Sequence, residues 1–479
     1  MRSEDPLLAA WHATLARKRD QPAILDSTSQ IMRTFRQVEE RAQQFEAQIE
    51  IFHASALVAV QIGNHEDWPS ILIACLRKRL VALPLEQSIS DQQREAALET
   101  CGVVGAITCA ADSLTPILSQ REKQSPLLRD EKVRMKGISL LKLTSGTTAW
   151  PRAIRFRSEQ LLADCNQICE TMGISDADLN FGVIPISHSY GFSNLLTPLI
   201  ARGVPMVLSR DRTPRAVLGD LARTNATVFP GTPVFYQALS EMENVPAVPK
   251  LRLCISAGAP LSVTIAKKFR AKFRLAIHSF YGASECGGIC YDRDGTNELE
   301  GFVGAPMNGV DLEIIDPTAS ASQVRVRSGA AGDGYFPESD EAKLCGGSFV
   351  PDDLLKSNAN GFQVVGRVSD VINVAGKKVN PAQVEAHLLR FSGVRQAAVF
   401  GRPSALRNEE VMACVVAGPG INESDLLEFC RGTLSTWEVP KAVFIVDAIP
   451  VNERGKISRS DLARRFARHD RSPLRGSGS

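Results

Sequence analysis

A chain of 479 residues, 44% hydrophobic and 23% charged, has the composition of an ordinary globular protein and the length of two or more domains. A formal net charge of +2 argues against a nucleic-acid footprint or an acidic partner surface. The opening Met1-Arg2-Ser3-Glu4-Asp5-Pro6 lacks a signal-peptide pattern and no apolar run is long enough to span a membrane, so a cytoplasmic protein is expected. The eleven cysteines include the pairs Cys165/Cys169 and Cys286/Cys290, whose spacing is not CxxC, and are expected to be buried free thiols. In chain order, Leu57–Ile62 reads as a strand, Trp68–Arg77 as a helix, and Val81–Leu85 and Val103–Ile107 as strands. Ile138–Leu143 reads as a buried strand, and Val204–Leu208 and Ala226–Phe229 continue the pattern. Strands alternating with helices predict an α/β fold with largely parallel sheets, whose ligands sit at loops off the strand C-termini. From about Val310 the strands shorten: Leu312–Ile315, Val324–Val326, then Gly361–Arg367 as a closing strand. Beyond a boundary near 367–370 comes an α+β pattern: strands Val371–Val374, Gln396–Phe400 and Val443–Val446, with helices Pro381–Arg390 and Glu423–Leu434. The basic run Arg464-Arg465-Phe466-Ala467-Arg468-His469 before Ser477-Gly478-Ser479 reads as a frayed tail, not a nucleic-acid arm.

The residues that carry chemistry begin at Thr144-Ser145-Gly146-Thr147-Thr148-Ala149-Trp150-Pro151-Arg152. Hydroxyls around a glycine suit phosphate oxygens, because the backbone can approach closely and N–H and O–H groups donate. Arg152 adds a cation for a leaving phosphate. The run is not a Walker A loop, and an ordinary Ser/Thr-rich turn has the same composition. Further islands follow in order: Pro185-Ile186-Ser187-His188-Ser189-Tyr190-Gly191-Phe192, Ser256-Ala257-Gly258-Ala259-Pro260-Leu261 and Phe280-Tyr281-Gly282-Ala283-Ser284-Glu285. Gly366-Arg367-Val368-Ser369-Asp370 stands at the boundary, with Gly376 shortly after it, and Gly455-Lys456-Ile457-Ser458-Arg459 near the end.

Taken together, in this order and spacing, the islands resemble the adenylate-forming superfamily of acyl- and aryl-CoA synthetases, luciferases and peptide-synthetase adenylation domains. The resemblance covers about Gln21 to Leu462. It implies a large N-terminal AMP-binding domain, 1–367, of mixed and parallel sheets flanked by helices with a small β-barrel-like subdomain. A small mobile α+β C-terminal domain, 368–470, and a flexible tail, 471–479, complete the expectation. The implied chemistry is attack of a carboxylate on the α-phosphate of Mg-ATP, then displacement of AMP by a thiol, usually coenzyme A. Cations, Mg²⁺ and fixed donors would carry the first step. By position, Thr144, Ser145, Gly146, Thr147 and Thr148 match the phosphate loop, and Tyr281 the aromatic that stacks on adenine beside Gly282 and Ser284. Gly258, Ala259 and Pro260 match the nucleotide-side loop. Glu285 matches the Mg²⁺-associated carboxylate, Asp353 the ribose-binding aspartate, and Arg367 a ribose or phosphate contact. Lys456 matches the mobile lysine that bridges carboxylate and α-phosphate. The resemblance implies rotation of the small domain about a hinge at Ser369, bringing the face around Gly376 to the thiol tunnel. His188 matches the residue beside the acid pocket, with a gating role as one reading. Ser189, Tyr190, Phe192, Ser193, Phe229, Gly231, Ala257, Gly258, Ala259 and Phe280 are the other pocket candidates.

The chain departs from the pattern where Ala149 and Arg152 stand for Gly and Lys, Ser369 for Asp or Lys, Pro351-Asp352 for Thr-Gly, and Ser284 for Thr. Arginine replaces a point charge by a planar fork, and losing the glycine stiffens the loop. No acid occurs from Pro185 to Leu199, which argues against an amino-acid substrate and for a neutral-tailed aryl or aliphatic monocarboxylate. Coenzyme A is the expected acceptor. The alternatives are a separate acyl carrier protein, another non-thiol acceptor, or a degenerate homologue that binds nucleotide or acyl groups without catalysis.

Overall fold

Leu57-Val58-Ala59-Val60 is an unbroken β-branched and apolar run, and in the computed structural model it forms strand Leu57–Gln61, buried through its first four residues. The structure describes residues 4–110, 113–118, 135–144, 152–296, 298–375, 377–404, 408–450 and 457–466. These divide into two units: Met1–Ile315 with Val324–Pro351 and Ser357–Gln363, and Val364–Ser479 with Asp316–Gln323 and Asp352–Lys356. Asp353 and Arg367 group with the smaller unit.

The larger unit carries two extended sheets. In one, Leu57–Gln61 lies parallel to both Val81–Pro84 and Gly105–Ala110, and Val81–Pro84 parallel to Leu140–Leu143. Leu57, Ala59, Val81, Leu83, Leu141, Ala153 and Phe336 pack into one core on a face of this sheet. Period-two alternation therefore turns Lys142 toward the opposite face. Leu140–Leu143 pairs antiparallel with the next strand, Ala153–Phe156. In the second sheet, Pro22–Asp26, Met206–Leu208, Asn180–Gly182, Val228–Gly231, Leu253–Ser256 and Ile277–Ala283 are neighbours in that order and all parallel. Gly287–Tyr291 and Phe302–Pro306 extend it antiparallel. Strand Gly361–Arg367 pairs with Phe302–Pro306 through Gln363 and Phe362, extending this sheet. The short strands Val310–Ile314, Val324–Ser328, Ser348–Phe349 and Leu344–Cys345 form a four-stranded antiparallel sheet.

In the smaller unit the long strands Val394–Ser404 and Asn408–Ala417 form an antiparallel ribbon. Alternation decides its two faces. Val411, Ala413 and Val415 pack with Val384, Leu388, Leu426 and Cys430 of helices Pro381–Leu388 and Glu423–Arg431. Met412, Cys414 and Val416 pack with Leu462 and Phe466, at the end of helix Arg459–Arg465. Among the described residues ten cysteines are free thiols, nine of them buried, and no helix is long and apolar enough to cross a membrane.

Candidate functional site

Strand Asn180–Gly182 leads directly into the histidine island. The His188 ring caps the one-turn helix Ser189–Gly191, its Nδ1 accepting from the Tyr190 N–H at 3.2 Å. In the neutral ring this leaves the proton on Nε2. Gly191 is required by packing, since a Cβ there would lie 2.1 Å from the Pro185 carbonyl oxygen. The chain continues as a π-helix, Phe192–Leu196, a wide turn often found at functional sites.

Asn64, distant in sequence, holds the approach to His188. Its amide donates to the carbonyls of Gly182 (3.2 Å) and Ile184 (3.0 Å), and its Oδ1 accepts from the Ile186 N–H at 2.8 Å. No local sequence pattern marks this residue. Asn64→Ala should destabilise the protein by about 1–3 kcal/mol, because it strands three backbone groups, and should raise the KM for the acid more than that for ATP. A thermal melt with separate KM determinations checks this; an unchanged acid KM would leave Asn64 a purely structural residue.

The islands meet in space. The Ser189 hydroxyl donates to Ser284 Oγ at 3.0 Å. The Tyr190 hydroxyl donates to the Ile255 carbonyl at 3.1 Å, and its ring lies 5.9 Å from that of Phe280. The Ala257 N–H reaches the Gly231 carbonyl at 3.2 Å, so the C-terminal ends of neighbouring parallel strands lie side by side. Gly258, Ala259 and Pro260 form an exposed loop at that end. Ser284-Glu285-Cys286 is the tip of the hairpin between Ile277–Ala283 and Gly287–Tyr291. Gly287 lies at φ +69°, and a Cβ there would fall 2.0 Å from Asp164 Oδ1, which accepts from the Gly288 N–H at 3.1 Å. Tyr281 is half-buried and Gly282 exposed on the same hairpin.

Thr144 and Arg152 close the base of the hydroxyl-rich loop: the Thr144 N–H and Oγ1 donate to the Arg152 carbonyl at 2.8 and 3.1 Å. The Arg152 guanidinium lies 3.7 Å from the Tyr335 ring centre and 3.6 Å from Asp340 Oδ2. Among the described residues its buried Nε has no hydrogen-bond partner. Lys142 is 6% exposed inside the apolar strand, its ammonium 4.7 Å from the Phe156 ring centre and 5.5 Å from that of Phe192. Burial pulls its pKa down, against the opposing carboxylates of Asp164 and Glu285. A lysine interrupting Leu140-Leu141 and Leu143 is the sequence signal for this buried cation.

Most of the pocket candidates are buried. Phe229 is fully buried among Phe181, Phe235 and Tyr236, and Phe192 is 1% exposed beneath Lys142. Gly231, Ala257 and Phe280 are buried as well, at the strand ends, whereas His188 and Ser189 are half-buried.

In the smaller unit, Arg367 Nε donates to Asp353 Oδ1 at 2.7 Å, and the Val368 N–H donates to the Asp352 carbonyl at 2.8 Å. Ser369 lies in the 3₁₀ turn Val368–Asp370. Arg459, unassigned from sequence, bonds Asp370 Oδ2 (2.5 Å), Glu385 Oε1 (2.8 Å) and the Val399 carbonyl (2.9 Å). Ser145, Gly146, Thr147, Thr148, Gly376 and Lys456 lie outside the described residues.

The family described as AMP-binding enzyme matches residues 11–332, and its C-terminal domain family matches residues 383–456. A probable CoA ligase, CCL9, from Humulus lupulus is 30% identical over 86% of each chain. Feruloyl-CoA synthase from an Amycolatopsis species is 26% identical, over 84% of this chain and 87% of its own. Among solved structures, ATP-bound MatB from Rhodopseudomonas palustris superposes with a TM-score of 0.83 at 22% identity, over 97% of this chain and 99% of its own. That last likeness concerns the fold.

Proposed function

Because the chain belongs to the AMP-binding enzyme family, we propose that it is an AMP-forming acid–CoA ligase acting on a neutral-tailed aryl or aliphatic carboxylate. The observation that carries this reading is the meeting of the histidine island with the Tyr281–Glu285 hairpin at the C-terminal ends of parallel strands. There a carboxylate substrate and a nucleotide have adjoining places. The acid attacks the α-phosphate of ATP and expels pyrophosphate; a thiol then displaces AMP. In this reading Tyr281 is assigned to stack on adenine, and Asp353, whose carboxylate accepts from Arg367 Nε within the smaller unit, to accept from the ribose hydroxyls. His188, whose Nδ1 caps the Ser189–Gly191 turn, is assigned to the acid side of the site. Arg152 is assigned to the polyphosphate and Lys456 to the forming acyl–phosphate bond.

Magnesium fits the donor set present. Glu285 is a half-buried carboxylate at the hairpin tip. A single carboxylate suits an ion that keeps several waters and takes its other ligands from substrate phosphates. When bound, Mg²⁺ would neutralise charge on the departing pyrophosphate.

The test is acid-dependent pyrophosphate release from Mg-ATP across aryl, short-, medium- and long-chain acids, each with and without coenzyme A. Release by one acid class, with thioester formed when coenzyme A is added, is the expected result. Release without thioester would move the acceptor to a carrier protein or an amine. Silence across the panel with ATP still bound would overturn the reading in favour of a non-catalytic homologue.

A further inference from the structure

The segment just before and within strand Gly334–Phe336 touches Glu285 twice. The Gly332 N–H donates to the Glu285 carbonyl at 2.9 Å, and the Tyr335 hydroxyl donates to Glu285 Oε1 at 3.2 Å. The same strand pairs antiparallel with Ala153–Phe156, placing Tyr335 opposite Ile154 and Phe336 opposite Ala153, next to Arg152. Tyr335 is 5% exposed, and its ring face carries the Arg152 guanidinium at 3.7 Å, with Asp340 closing on the cation. One buried side chain thus contacts both the cation at the end of the hydroxyl-rich loop and the carboxylate at the hairpin tip, groups about 130 residues apart in sequence but bridged by a single ring.

We propose that Tyr335 is a positioning residue that sets the separation and orientation of Arg152 and Glu285 for Mg-ATP. The proposal rests on the adenylation reading of this site. Its ring fixes the plane of the guanidinium, and its hydroxyl fixes the carboxylate oxygen. The arrangement also accounts for arginine at 152. A guanidinium stacks flat on a ring while its edge pairs with a carboxylate, whereas an ammonium has no plane to hold. Tyr335 therefore makes Arg152 and Glu285 a coupled pair.

The experiment compares wild type, Tyr335→Phe, Tyr335→Leu, Arg152→Lys and the Tyr335→Leu/Arg152→Lys double variant. Each is assayed for the Mg²⁺ dependence of pyrophosphate release, for kcat and KM separately, and for the Mg-ATP dissociation constant by calorimetry. Tyr335→Phe keeps the stack and loses the hydroxyl, so the Mg²⁺ concentration for half-maximal rate should rise by roughly fivefold with little change in the Mg-ATP dissociation constant. Tyr335→Leu loses both contacts and should weaken Mg-ATP by roughly tenfold. Arg152→Lys should cost several-fold in wild type and nothing further in the leucine background, the signature of coupling. Equal cost of Arg152→Lys in both backgrounds, or a Tyr335→Phe variant with wild-type Mg²⁺ dependence, overturns the proposal. A structural role alone would lower the melting temperature without moving either quantity. If wild type binds Mg-ATP but releases no pyrophosphate with any acid, the adenylation reading fails, while the dissociation constants of the same five proteins still decide the coupling.

Discussion

Lys456→Ala should reduce acid-dependent pyrophosphate release by roughly a hundredfold or more, while Mg-ATP binding changes little. Attack of one anion on another concentrates negative charge between the carboxylate and the α-phosphate. A single ammonium placed there is worth far more in the transition state than in the ground state. In the proposed reading Lys456 of Gly455-Lys456-Ile457-Ser458-Arg459 supplies that ammonium. The variant should therefore lose kcat and retain its ATP dissociation constant. Thioester formation from an acyl-adenylate supplied ready-made should continue, because the proposed role of this lysine is confined to the first half-reaction. Measuring the two half-reactions separately gives the answer. Equal adenylation by variant and wild type would remove Lys456 from the mechanism.

Arg459→Ala should follow with a roughly ten- to hundredfold loss of the same half-reaction, accompanied by destabilisation of about 1–3 kcal/mol. The guanidinium holds three acceptors: Asp370 just after the proposed hinge position Ser369, Glu385 on helix Pro381–Leu388, and the Val399 carbonyl in the ribbon. Glu385 in turn accepts from the Val399 N–H at 2.8 Å, so the fork completes a closed set of bonds. Alanine would leave Asp370 and Glu385 side by side without their cation. Arg459 lies three residues after Lys456, and a small displacement of a reacting group costs rate steeply. Arg459→Lys keeps the charge but cannot reach three acceptors, so it should recover part of the stability and little of the rate. Half-reaction kinetics and thermal unfolding of both variants test this. Full recovery of the rate by lysine would reduce Arg459 to a simple charge.

Much of the framework is legible in the chain because it depends on local pattern. The apolar run at 57–60 and the helix from Trp68 lie where periodicity places them, with the helix ending at Lys78. Other boundaries move where a neighbour decides pairing. Gly105–Ala110 begins two residues after the apolar run at Val103, because its register is set against Val58–Gln61. The strand Val394–Ser404 outruns Gln396–Phe400 at both ends, since pairing with Asn408–Ala417 continues into polar residues that carry no hydrophobic signal.

The candidate site divides along the same physical line. The sequence by itself determined which residue types are available for chemistry: hydroxyls and glycine at 144–148, His188, the Tyr281–Glu285 run, Asp353, Arg367 and Lys456. These stand in short motifs whose spacing records local backbone needs, such as the close turns at Gly191 and Gly287. Only the tertiary structure decided which of them meet, and what supports them. Asn64 clamping the approach to His188, Tyr335 joining Arg152 to Glu285, and Arg459 binding three acceptors all bring together residues from separate stretches of chain. The tertiary structure also set how deeply each of them is buried: Phe229 and Phe192 are buried, whereas His188 and Ser189 are half-buried. Such contacts follow from sheet order and strand register, which sum many weak non-local pairings and leave no mark at any single position.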